Sequence, residues 1–268
     1  MIVKNKLASL KTNFLEKWYP RILAEFGYNA GLDLKAAKLL ATMLPSPETL
    51  IEKLDFLISN NPIIIIAPGP SLESSIPVVK PALQRLQDKL TLIAVDGALT
   101  PLLDNKLTPH ILVTDLDGVK PEFLLNASCE IIVLHAHGDN IHRIERYPPQ
   151  LFSKTLGTCQ VDFNNKILNI GGFTDGDRAV CLCEVFNADS VFLLGMDFGF
   201  MIGRFSKPYL KTTVEADAAK RRKLIYAMNI IEELIFNSKV KYYCLLHNSE
   251  LARIPVIGLE ELQRLTCL

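Results

Sequence analysis

Between Leu92 and Gly118 the chain reads LIAVDGALTPLLDNKLTPHILVTDLDG, and the rest of the sequence is organised around this stretch. Two short apolar runs, Leu92 to Val95 and Ile111 to Val113, each end on acid, and a short helical segment bracketed by Pro101 and Pro109 separates them. That pattern spells a βαβ unit. In a parallel sheet the carboxyl ends of neighbouring strands open onto one crevice. Asp96 after the first run and Asp115 and Asp117 after the second are therefore expected to converge there. Carboxylates so close repel and raise one another's pKa, so a folded chain keeps them when a cation neutralises them or when one holds a proton for chemistry. Residues two apart on an extended backbone face the same way, so Asp115 and Asp117 can share one hard cation, with Gly118 freeing the turn beyond. Magnesium suits, because it takes one or two carboxylates and fills its remaining sites with water and substrate phosphates. An isolated D-x-D equally suits a solvated strand end and an N-cap for a helix near Glu122, so the neighbouring loops carry the decision.

The length, 268 residues, suits one large α/β domain or a domain with an appendage. Lys plus Arg and Asp plus Glu both number 29, so no basic excess argues for nucleic acid or an anionic membrane surface as a partner. No run approaches the apolar length of a membrane span. Lys4, Lys6, Lys11, Glu16 and Lys17 stand where a signal peptide would be apolar, and a cytoplasmic protein is expected. The cysteines (Cys129, Cys159, Cys181, Cys183, Cys244, Cys267) include no C-x-x-C and read as buried thiols rather than a zinc site or disulfide framework.

Helical spacing runs from Leu7 to about Phe26, with a kink expected at Pro20. Asp33 suits the cap of a second helix through Leu44, and Ser46 that of a third, begun by Pro47 and reaching about Ser59. Residues 1–60 are thus expected to form a helical N-terminal region packed on an α/β domain of residues 61–268. Ile63 to Ala67 reads as a strand buried on both faces, leading into Pro68-Gly69-Pro70-Ser71. Gly69 permits close ligand approach, and Ser71 can cap a helix whose N-terminus attracts anions. A plain tight turn explains the segment as well, and neither P-loop nor dinucleotide fingerprint is present.

Glu130 to Leu134 is a further expected strand emptying into His135-Ala136-His137-Gly138-Asp139-Asn140, where the two histidines, His135 and His137, and Asp139 suit substrate or phosphate contact ahead of metal ligation. Thr155 to Asp162 and Lys166 to Ile170 read as strands. The second leads to Gly171-Gly172-Phe173-Thr174-Asp175-Gly176-Asp177-Arg178 ahead of a helical run from Ala179 to Phe186. Here the glycines suit close ligand approach and Arg178 suits a phosphate, while capping by Thr174 or Asp175 and a dipole role for Asp177 explain the polar residues without a ligand. Ser190 to Leu194 delivers one more acid, Asp197, to the same edge. The segment Phe200 to Thr212 lacks periodicity but holds Arg204 and Lys207, which suits a mobile positively charged lid or an ordinary loop. Lys220-Arg221-Arg222-Lys223, on a helix expected from Val214 to Phe236, reads as a solvated face, with phosphate contact as the lesser alternative. A last strand at Tyr242 to Leu246 and a helix at Leu259 to Leu265 complete a mostly parallel, Rossmann-like α/β fold. One site explains these converging strand ends more economically than separate bland accounts of each.

IIIIAPGPSLE, AVDGALTPLL, TPHILVTDLDG, HAHGDN, GGFTDGDRAV and LLGMDFG, spanning about residues 61–215 in order, resemble the archaeal 6-hydroxymethyl-7,8-dihydropterin pyrophosphokinases. The D-G-A…P…T-D-L-D portion is also similar to thiamine pyrophosphokinase, in which the corresponding acids handle magnesium and ATP. The resemblance implies transfer of diphosphate from ATP to the pterin hydroxymethyl oxygen with release of AMP, in folate or methanopterin synthesis. Attack at the β-phosphorus calls for metal and positive charge, and on that chemistry Asp115 and Asp117 would hold Mg2+, with Asp96 as a further ligand or the base. Gly69, Pro70 and Ser71 would meet the nucleotide, and Arg178, Arg204 and Lys207 charge on the leaving AMP. Asp139, Asp175, Asp177 or Asp197 would meet the pterin. Partners are then small molecules, with homo-oligomerisation left open. Thiamine as the alcohol, a D-x-D glycosyltransferase and a non-catalytic nucleotide-binding protein are the competing readings; the surplus of acids speaks against the last.

Overall fold

The computed structural model describes residues 2–164 and 166–267. Ten strands are present among them: β1 (Pro62–Ile66), β2 (Thr91–Val95), β3 (Ile111–Thr114), β4 (Ile131–Ala136), β5 (Thr155–Cys159), β6 (Ser190–Leu194), β7 (Met201–Ile202), β8 (Val214–Glu215), β9 (Lys241–Leu245) and β10 (Val256–Ile257). Eight form one sheet in the order β10-β9-β6-β1-β2-β3-β4-β5, and every pairing in it is parallel. The short β7 and β8 pair antiparallel on their own. The helices are α1 (Ile2–Asn13), α2 (Tyr19–Phe26), α3 (Ala30–Met43), α4 (Glu48–Ile58), α5 (Leu72–Leu86), α6 (Leu99–Asp104), α7 (Pro121–Asn126), α8 (Ile141–Ile144), α9 (Asp175–Val185), α10 (Ala218–Phe236) and α11 (Leu259–Thr266). None is long and apolar enough to cross a membrane.

The continuous apolar strands follow from burial on both faces. In β1, Ile64 and Ile66 enter one core with Ala94, Leu112, Leu134 and the α5 residues Ile76, Val79 and Leu83. Their neighbours Ile63 and Ile65 enter the opposite core with Ile93, Val113 and residues of α4 and α9. Residues two apart on a strand share a face, so the two cores interleave along each strand. The N-terminal helices contribute to both: Tyr19, Ile22, Ala37 and Leu40 to the first, Leu50, Leu54 and Ile58 to the second.

Several local expectations are corrected. The irregularity near Pro20 is a π-helical turn at Phe14–Trp18, closed by the Tyr19 N–H donating to the Phe14 carbonyl, immediately before the residue that lacks an N–H. Asn29, not Asp33, caps α3, accepting from the Gly31 and Leu32 amides. Lys166 to Ile170 is not a strand and joins β5 only through an isolated bridge from Thr158 to Leu168. The helix expected from Val214 starts at Ala218 behind an Asp217 cap, because Val214 and Glu215 pair with β7.

Candidate active site

From β1 to β5 the strands step outward to one side, whereas β6 returns to the far side of β1. The reversal makes the β1/β6 boundary a topological switch point, where the loops beyond the strands part and leave a crevice. A cleft of about 540 Å³ lies there and extends across the carboxyl ends of the strands towards β5.

At the switch point the loops after β1 and β6 are tied together. The amides of Ala67 and Gly69 donate to the carbonyls of Leu194 and Gly195 at 2.9 and 2.8 Å. Asp197 accepts from the Ser71 amide and hydroxyl, both at 2.8 Å. Ser71 thus occupies the N-cap position of α5 without capping it, since its side chain is turned to Asp197. A Cβ on Gly69 would lie 2.4 Å from both Asp197 Oδ2 and the Gly195 carbonyl, so only glycine allows this approach. Gly69, Pro70 and Asp197 line the cleft.

Beyond β2 and β3, oxygens of Asp96, Asp115 and Asp117 lie within 4.8 Å of one another. They are not presented by extended backbone, as the sequence suggested. Asp96 has φ +43° and Leu116, between the other two acids, φ +71°. Left-handed conformations are costly for such residues and concentrate at functional sites. Asp115 Oδ1 accepts from the Asp117 amide at 3.0 Å, and the Thr114 hydroxyl accepts from the Leu116 amide at 2.8 Å, which fixes the turn. Asp96 accepts from the Thr114 hydroxyl at 2.7 Å and the Gly118 amide at 3.2 Å.

Burial, reinforced by the charges of Asp115, Asp175 and Asp117, pushes the Asp96 carboxyl well above the ordinary range. Burial acts the same way on Asp115, but His137 Nε2 at 3.3 Å and the ammonium of Lys207 outweigh it and hold that carboxyl below its usual value. Lys207 pairs with Asp117. A cation thus already stands against the cluster, and the donor set is hard oxygen, so the residues fit a magnesium ion.

Segment 200–212 is docked rather than free. Gly203 packs on the Pro68 and Gly69 backbone, the Phe205 carbonyl on Gly97, and the Ser206 hydroxyl donates to the Pro68 carbonyl at 2.9 Å. It carries Lys207 into the cleft, whereas Arg204 pairs with Glu73 at 3.0 Å and does not line it. Lys220 and Lys223, read from sequence as a solvated face, also line the cleft. Their alternation with Arg221 and Arg222 around α10 was the available signal: positions three apart share a helix face.

At the β4/β5 end the turn before α9 is a capping box. Thr174 is the N-cap, and Asp177 accepts from the Phe173 and Thr174 amides and the Thr174 hydroxyl, each at 2.6 Å. Asp177 is fully buried in this role, and Gly172, at φ +81°, faces the Arg178 backbone. Asp175 lines the cleft. Its Oδ1 accepts from Arg178 Nη1 at 2.8 Å and its Oδ2 from the Asp115 amide at 3.2 Å. Burial and the Asp115 charge push its carboxyl up to about 7, against the pull of Arg178. Asp139 lines a separate recess of about 120 Å³, which shares Tyr28, His137 and Gln160 with the cleft.

Sequence reading missed Tyr28, Phe173 and Gln160 as cleft-lining residues, whereas His135, read with His137 as a contact residue, does line it. His135 lies inside β4 and is buried. Asp33, expected to cap a helix, is buried beside this end. It accepts from the Gly138 amide at 2.7 Å, the Tyr19 hydroxyl at 2.7 Å and Gln160 Nε2 at 2.8 Å, which fastens the N-terminal helices to the ends of β4 and β5.

A switch-point crevice, a glycine turn and a carboxylate cluster with facing lysines define a class, phosphoryl-transferring enzymes of the Rossmann-like type. The comparisons narrow it. Residues 37–203 match the family model described as 6-hydroxymethylpterin diphosphokinase MptE-like, and the chain belongs to that family. It is 37% identical over 227 residues to the 6-hydroxymethyl-7,8-dihydropterin pyrophosphokinase of Methanocaldococcus jannaschii, covering 82% of this chain and 93% of that one. With the enzyme of the same name from Methanothermobacter thermautotrophicus it shares 38% identity over 229 residues, covering 84% and 95%. The solved thiamine pyrophosphokinase of Bacillus subtilis aligns over 68% of this chain and 60% of its own at 17% identity, with a TM-score of 0.33.

Proposed function

We propose that the protein transfers diphosphate from ATP to the hydroxymethyl oxygen of 6-hydroxymethyl-7,8-dihydropterin and releases AMP. The observation that carries this reading is the meeting of Asp96, Asp115 and Asp117 between the glycine turn after β1 and the polar end after β4 and β5. The alcohol oxygen forms a bond to the β-phosphorus, the bond from that phosphorus to the α–β bridging oxygen breaks, and its electron pair leaves with AMP. The hydroxyl proton passes to a carboxylate, and Asp96, on the cleft wall beside Asp115 and Asp117, is the residue we assign to that role. Asp115 and Asp117, joined by Asp96 when it is ionised, would hold Mg2+, which supplies charge neutralisation on the phosphates. Gly69 and Pro70 bring backbone up to the nucleotide, while Lys207, Lys220 and Lys223, which line the same cleft, supply positive charge for its phosphates. A cytoplasmic setting accords with the six free cysteines.

The test is AMP release from ATP and Mg2+ with the hydroxymethyl dihydropterin, with thiamine, or with neither. AMP formed only with the pterin is the expected result. AMP formed only with thiamine, or turnover of a sugar nucleotide instead, overturns the assignment.

A further inference from the structure

Most buried polar atoms around the cleft have a partner within the chain. Two that lack one among the described residues, His135 Nε2 and Arg178 Nε, belong to side chains on the cleft wall at the β4/β5 end. His135 is 3% exposed and Arg178 1%, so water does not readily replace the missing partners. The Thr158 hydroxyl lies 3.3 Å from the Leu134 carbonyl and 3.1 Å from His135 Nδ1. We assign its proton to the carbonyl, so that it accepts from Nδ1–H and Nε2 is left as an acceptor. Burial, with the Arg178 guanidinium nearby, holds the ring's pKa well below the ordinary imidazole value. Gln160, whose amide N–H donates to Asp33, stands beside the ring, and Nε2 itself makes no hydrogen bond among the described residues. On Arg178, Nη1 is bound to Asp175 and Nη2 to the Phe173 carbonyl at 3.2 Å and that of Gly172 at 3.5 Å, which leaves the Nε donor.

One acceptor and one donor, with Tyr28 and Phe173 on the walls beside them, describe a seat for a flat heterocycle that presents an N–H next to a carbonyl. We propose that His135 Nε2 accepts from the lactam N–H of the pterin ring and Arg178 Nε donates to the adjoining carbonyl, so that these two residues select the acceptor alcohol. The inference rests on the pterin reading above and extends it to residues outside the carboxylate cluster. It also moves Arg178 from the phosphates, where sequence placed it, to the ring. The layout agrees: the glycine turn ends β1, the acids end β2 and β3, and His135 is three strands from β1, about 14 Å at ordinary strand spacing. Nucleotide, metal and alcohol then lie in the order that transfer between them requires.

The experiment is a fluorescence titration of the full-length protein, without ATP, using 6-hydroxymethylpterin and its N3-methyl analogue, which lacks the lactam proton. Wild type is expected to prefer the parent ring by about tenfold or more. His135→Ala should lose that preference and raise the KM for the dihydropterin while leaving the KM for ATP unchanged. His135→Gln, which keeps an acceptor at the same reach, should restore part of the preference and serves if the alanine variant does not fold. Undiminished discrimination in both variants, or an ATP KM that rises in place of the pterin KM, overturns the proposal and leaves the pterin assignment standing. Wild-type protein that binds neither ring refutes both together.

Discussion

The two ends of the cleft are built on opposite principles. Where β1 meets β6, the polar groups satisfy each other: Asp197 takes both Ser71 donors, and backbone amides bridge the two loops. Beyond β4 and β5, the chain leaves His135 Nε2 and Arg178 Nε unanswered. A self-satisfied loop is rigid before anything binds and offers shape and backbone to a ligand whose charge is handled elsewhere. Orphaned buried atoms destabilise the empty protein and reward only the ligand that completes them, which is how a site discriminates between similar rings. The difference suits a co-substrate recognised through its phosphates at one end and an acceptor recognised through its ring at the other.

Three substitutions probe this contrast. The largest effect is expected between the ends, where Asp117→Asn removes one charge of the carboxylate cluster proposed to hold the metal, and the Lys207 partner. Steady-state assays should show turnover falling by ~10³-fold, with circular dichroism unchanged. Retained activity would remove Asp117 from the metal site. At the orphaned end, Asp33→Asn disturbs a buried carboxylate that accepts three hydrogen bonds, and urea denaturation should show a loss of about 1–3 kcal/mol. With Gln160 no longer anchored, the pterin KM should rise while that for ATP holds. A stable variant with unchanged constants would mean that the N-terminal helices do not shape this end. At the saturated end, Gly69→Ala forces Asp197 or Gly195 to shift, and the ATP KM should rise about tenfold with the pterin KM unaltered. Equal effects on both constants would erase the distinction between the ends.

Much of this was legible in the chain, and the boundary of legibility is physical. Strands β1, β2, β3, β4 and β6 begin within a residue of where their apolar runs place them, because continuous Ile, Leu and Val runs have few other uses in a soluble fold. The convergence of Asp96, Asp115 and Asp117 followed from parallel topology alone. Lys166 to Ile170 has a strand's composition yet makes one bridge, since pairing depends on a partner edge that sequence does not reveal. Asp33 and Ser71 both had the chemistry of a local cap but were claimed by distant groups, Asp33 by Tyr19, Gly138 and Gln160 and Ser71 by Asp197. His135 looked like a residue beyond a strand end and proved to lie within the strand. Its surroundings come from distant chain, with Nδ1 meeting Thr158 on the neighbouring strand. Polar groups with long-range partners are the ones a linear reading misplaces.

The most direct test of the whole account is a crystal structure of the protein with Mg2+, α,β-methylene-ATP and 6-hydroxymethyl-7,8-dihydropterin. The expected density places the ion among Asp96, Asp115 and Asp117, the nucleotide on the Gly69 turn, and the pterin lactam edge against His135 and Arg178. An ion bound away from those carboxylates, or nucleotide and pterin in exchanged positions, would contradict it.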